Sequence, residues 1–108
     1  MKIPETIKVL SVDYIVKRPD KSWVDDAEAR GNCDSNKQII NIPETGQVCQ
    51  TLDTTVHEVF HAIYDSMQLT DEDKEEDYVS RMATGLITVL RDNPKFRKFV
   101  WDSLKKLD

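Results

Sequence analysis

The chain has 108 residues, 39% of them hydrophobic and 32% charged, with a net charge of −5. Residues 1–108 are therefore expected to form a single ordinary globular domain, with too little chain for a second core. The acidic balance argues against a nucleic-acid binder, and no apolar run approaches the ~20 residues of a membrane span. Pro4 and Glu5 stand where a signal peptide needs apolar residues. Two cysteines, Cys33 and Cys49, without an export signal point to reduced thiols in the cytoplasm.

The first apolar segment, Thr6 to Val16, is rich in β-branched residues and partly alternates, so it predicts one strand ended by Arg18-Pro19-Asp20. Ser22 to Arg30 reads as either a short strand or a loop. Gly31 to Asn36 has the composition of a turn. Lys37 to Ile42 predicts a short strand stopped by Pro43.

The period then changes. Val48, Leu52, Val56, Val59, Phe60, Ile63 and Met67 follow helical spacing, which predicts a helix from Glu44–Gly46 to about Gln68. Thr70 and Asp73 resemble a capping pair for a second helix from Asp71 to Asp92. Its expected inward residues are Val79, Met82, Ala83, Leu86, Ile87 and Leu90. Asn93 reads as an N-cap and Pro94 as the first residue of a last helix. That helix carries Phe96, Phe99, Val100, Leu104 and Leu107 on one face. The expected class is α+β: a small N-terminal sheet of two or three strands, then three helices.

The only two histidines, His57 and His61, are four residues apart within the first helix, and Glu58 follows the first of them. This is H-E-x-x-H. Residues i and i+4 share a helix face, so two imidazoles can bind one zinc ion. Glu58 is turned about 100° round the axis, where its carboxylate can reach a water held by the metal and act as general base. Taking Leu52 as zero, the apolar stripe clusters between about −20° and +60° and the histidines lie near 140° and 180°. One face should pack while the other presents the site, with Val59, Phe60, Ala62 and Ile63 burying the helix around the metal.

Such motifs also arise by chance, but uncharged flanks in a helical segment are what a metal site requires. Position 64 is Tyr and position 67 is Met, which excludes H-E-x-x-H-x-x-G-x-x-H. Both cysteines read as buried small residues. Asp65 is too far along the helix from His57 to close a three-ligand site, and reads as an outer acceptor. The remaining candidates for a third ligand are Glu75, Glu76 and Asp77, at the start of the second helix.

This arrangement resembles the small gluzincin metallopeptidases of the ImmA/IrrE type. Their H-E-x-x-H helix is followed by a glutamate ligand in a pattern like E-x-x-A-N-x-F-A. Glu76-Asp77-Tyr78-Val79-Ser80-Arg81-Met82-Ala83 can be laid on that pattern, which puts Glu76 in the ligand place and leaves Glu75 as its alternative. Ser80 and Met82 stand where the family has Asn and Phe. The strand at Gln38–Ile42 resembles the family's edge strand, suited to pairing with an extended substrate. The resemblance covers roughly residues 29 to 90. It implies a minimal zincin-like, zinc-dependent endopeptidase acting on another protein, often a transcriptional regulator. His57, His61 and Glu76 would bind Zn2+, and Glu58 would be the catalytic base. Without a third histidine the oxyanion donor should be a tyrosine or an arginine, with Tyr64 and Tyr78 as candidates. A non-proteolytic, zinc-containing binding or regulatory module is the alternative. Neither reading involves nucleic acid or a membrane.

Overall fold

A two-residue turn at Leu10-Ser11 divides the first apolar segment into a hairpin: β1 (Thr6–Val9) pairs antiparallel with β2 (Val12–Lys17), Val9 opposite Val12. The single strand expected there is thus two. Leu10 takes φ 58, the backbone of the first position in a II′ turn, without the usual glycine. The computed structural model describes residues 2–20, 31–69 and 75–107, with the side chains of Glu75, Glu76 and Val79 outside the description. The ambiguous stretch Ser22–Arg30 and the capping pair Thr70/Asp73 lie outside the described residues.

The Gly31–Asn36 segment is also more ordered than its composition implied. Asn32–Asp34 forms a strand, β3, and the turn moves to residues 35–38. Asp34 Oδ1 accepts from the backbone N–H groups of Asn36 and Lys37, which tightens that turn. β4 (Ile39–Asn41) pairs antiparallel with β3 and parallel with β2. The order is β1-β2-β4-β3. β4 is therefore an inner strand, and the edge expected there belongs to β3 among the described strands. Ile7, Val9, Tyr14 and Ile40 point to the buried face while Ile15 faces solvent, the alternation of a sheet covered on one side.

Three helices supply the cover: α1 (Val48–Ser66), α2 (Glu75–Asp92) and α3 (Pro94–Leu107). The class is α+β, as the sequence predicts. α1 ends without glycine. Gln68 takes φ 55, its N–H donates to the Asp65 carbonyl, and Leu69 N–H donates back to the Tyr64 carbonyl. This is the Schellman pattern, and the buried Leu69 completes it. Val59, Ala62 and Ile63 of α1, Val89 of α2, and Phe96 and Phe99 of α3 close the core on the sheet.

The inward stripe of α2 is rotated from the expected one. Ala83 and Ile87 are exposed, and Gly85 and Val89 are buried instead. Gly85 lies against Ile63: a Cβ added there would come within 2.5 Å of Ile63 Cγ2. That close crossing sets the roll of α2. On α3, Leu104 and Leu107 are exposed, while Ser103 is buried. Asn93 holds the α2–α3 corner in an unexpected way. Its side chain accepts from Lys8 N–H and donates to the carbonyls of Lys8 and Val89, all at 2.7 Å. Asn93 thus holds the expected N-cap position, its carbonyl accepting from Arg97 N–H, while its side chain clamps the outer edge of β1. No helix among the described residues is long and apolar enough to cross a membrane.

Candidate metal centre

α1 carries the site because its two faces have different neighbours. Thr51, Thr55, Val59, Ala62 and Ile63 are buried, and His57 and His61 are exposed on the other side. Phe60 joins the exposed side rather than the core. The two Nε2 atoms lie 3.2 Å apart, with the rings 4.8 Å apart and inclined by 70°. Zn–N bonds of about 2.0–2.1 Å put two ligand nitrogens of a tetrahedral ion about 3.3 Å apart. The same 3.2 Å also suits one imidazole N–H donating to the other ring.

Glu58 completes the group. Its carboxylate and the two imidazoles offer ligand atoms that all lie within 4.8 Å of one another, close enough to hold a metal ion. No other such cluster of His, Cys, Asp or Glu occurs among the described residues. Glu58 is turned towards the sheet edge and is only 5% exposed. Burial pushes its carboxyl above the ordinary range, and the neighbouring His57 and His61 pull it back down.

Gly31, just before β3, makes room for this carboxylate. A Cβ added there would come within 2.6 Å of Thr54 Cγ2, 2.9 Å of Glu58 Oε2 and 3.2 Å of the Asn41 carbonyl. Gly31 is needed for this close approach, a role that turn composition alone does not reveal. The donor set and the space left by Gly31 both fit a metal beside a carboxylate.

On the opposite flank, α1 and α2 enclose a cleft of about 720 Å³ lined by His57, Phe60, His61, Tyr64, Tyr78, Met82, Ala83 and Leu86. The Tyr64 and Tyr78 rings are 6.2 Å apart, so both oxyanion candidates lie on this cleft. His61 and Met82 both line this cleft. The side chains of Glu76 and of its alternative Glu75 lie outside the described residues, and Asp77 is exposed.

The cysteines are not both buried: Cys33 is partly buried and Cys49 exposed, and both are free. Burial, then Asp65, Glu58 and Asp34, push the Cys33 thiol up to about 12. Asp65 is thus electrostatically coupled to Cys33 and to Tyr14. Comparison with protein-family models, with curated proteins and with solved structures finds no match to this chain.

Proposed function

We propose that the chain is a zinc-dependent metallopeptidase that hydrolyses a peptide bond in a protein substrate. The observation that carries this reading is the convergence of His57 and His61 at 3.2 Å with the Glu58 carboxylate beside them, at the mouth of a cleft. The resemblance to ImmA/IrrE-type gluzincins supports the choice of zinc, and of Glu76 as the third ligand.

His57 and His61 would hold the metal through Nε2. Zinc supplies Lewis-acid polarisation of a carbonyl and makes water acidic enough to lose a proton near neutral pH. Glu58 accepts that proton on a carboxylate oxygen and returns it to the leaving amine. Burial suits this role, because a carboxyl held above its ordinary range is a better proton acceptor when ionised. Tyr64 and Tyr78, which line the same cleft, are the proposed hydroxyl donors to the substrate oxyanion. The proposed compartment is the cytoplasm, and the proposed partner is a protein or peptide substrate.

The other reading is a non-proteolytic zinc module. Two measurements on untagged protein decide between them. The peptidase reading expects near-stoichiometric zinc, and cleavage of a protein from the source-cell extract that stops on chelation. Zinc without any cleavage would leave the binding module, and protein that takes up no zinc would overturn both.

A further inference from the structure

The cleft between α1 and α2 differs from the other cavities in its chemistry. A cavity of about 470 Å³ near the N-terminus is walled by Lys2, Glu5, Arg18 and Glu44 among others. The α1–α2 cleft is larger, and its described lining carries no charge outside the two imidazoles. Its other residues are Phe60, Tyr64, Tyr78, Met82, Ala83 and Leu86. Phe60 is 38% exposed there, a large ring left facing solvent beside the histidines.

His57 and His61 are at once the candidate ligands and part of the wall. Whatever is bound at the metal therefore lies against this apolar surface. The volume falls within the about 300–1,000 Å³ of small-ligand sites and exceeds what a single methyl group would fill. We infer that the cleft is the specificity subsite of this centre and takes the bulky apolar side chain, aliphatic or aromatic, of a residue flanking the scissile peptide bond. Met82 and Ala83, which with Tyr78 and Leu86 form the α2 wall of the cleft, set that preference. A charged side chain would lose its hydration there, and outside the two imidazoles the described lining holds no charged side chain to neutralise it.

This inference rests on the zinc reading above, so its test probes the metal and the wall without requiring turnover. Amino-acid hydroxamates are suitable probes: the hydroxamate chelates zinc and the side chain samples the neighbouring wall. With the zinc-loaded full chain, leucine and phenylalanine hydroxamates should bind about tenfold or more tighter than glycine hydroxamate, the range expected for burying one such side chain. Aspartate hydroxamate should show no gain over glycine hydroxamate. Met82→Glu places a charge in the wall. Ala83→Trp, at an exposed position that need not disturb the core, fills the cleft. Each should bring the leucine-to-glycine ratio within about twofold, whereas Ile87→Ala, outside the lining, should keep the wild-type ratio. Circular dichroism checks that each variant is folded.

Equal affinities with zinc in place would overturn the subsite and leave the metal centre standing. An apolar preference that survives both wall variants would overturn the assignment to α2. Tight apolar binding without cleavage of any protein would overturn the peptidase and the subsite's role at a scissile bond, leaving an apolar ligand pocket beside the metal. Wild type that binds no zinc would overturn the metal reading and this inference together.

Discussion

The backbone of Gly31 lies so close to Glu58 that a methyl group at residue 31 would sit 2.9 Å from the Glu58 carboxylate. The strand that follows, β3, is thereby held against the H-E-x-x-H helix. Two elements far apart in sequence thus meet at the acid between the two histidines.

Gly31→Ala should therefore destabilise the protein by about 1–3 kcal/mol, the usual cost of overpacking a tight contact. Its nearest obstacle is Thr54 Cγ2 at 2.6 Å. Thr54→Ser removes that methyl, so the glycine substitution should cost less in a Thr54→Ser background. Urea denaturation of the two singles and the double gives the coupling. Strict additivity would show that Thr54 is not what β3 rests on.

The two thiols should react at different rates. Cys49 is exposed, whereas Cys33 is partly buried with its thiol pushed up to about 12. The thiolate is the nucleophile, so Cys33 stays protonated and slow at pH 8. Iodoacetamide followed by peptide mass spectrometry should find Cys49 modified first, with Cys33 catching up only in denaturant. Equal labelling in the folded protein would mean that the packing of β3 on the core does not bury Cys33. The linkage sign is definite. A thiol with a raised folded value contributes its full stability below the unfolded value, and that contribution falls as pH rises towards about 12.

The helical half of the molecule was the more legible part of the sequence. His57 and His61 could be placed on one face because the i, i+4 relation is local and survives any tertiary arrangement. The end of α1 and the α2–α3 corner were legible for the same reason, but α1 starts at Val48, later than the expected Glu44–Gly46, because Gly46 takes φ 77. The sheet was less so. Leu10 takes a backbone that composition assigns to glycine, so the hairpin turn left no signal. Asn32–Asp34 is a strand despite turn-like residues, because pairing with β4 and packing on α1 outweigh propensity. The stripe on α2 was misjudged at Ile87 and Val89, since the Ile63–Gly85 crossing, a long-range contact, decides the roll of that helix.

Zinc should raise the melting temperature, because it binds only where folding has brought the ligands together. Imidazole must be unprotonated to bind, so the gain should shrink at mildly acidic pH. The same titration tests the third ligand. Glu76→Gln should weaken zinc binding strongly, and Glu75→Gln should leave it near wild type. The reverse order would shift the ligand by one residue. No effect from either would place the third ligand away from the first turn of α2.

Glu58→Gln separates proton transfer from metal binding. The substitution keeps size and shape and leaves both imidazoles in place, so zinc uptake and the fold should persist. Hydrolysis of the protein substrate should fall by ~10²–10⁴-fold, the range for loss of a general acid–base group. Stability supplies a second readout that needs no substrate. Burial raises the Glu58 carboxyl in the folded state, so the metal-free native protein binds this proton more tightly than the unfolded chain does. Stability of the wild type therefore falls as pH rises from the unfolded carboxyl range through the folded value. The neutral Gln escapes that penalty. In chelator at neutral pH, Glu58→Gln should melt higher than wild type, and the advantage should vanish in acid, where Glu58 is protonated in both states. A variant that melts lower than wild type at neutral pH would show that the ionised carboxylate is held by partners rather than strained by burial. A variant that cleaves as fast as wild type would remove Glu58 as the base.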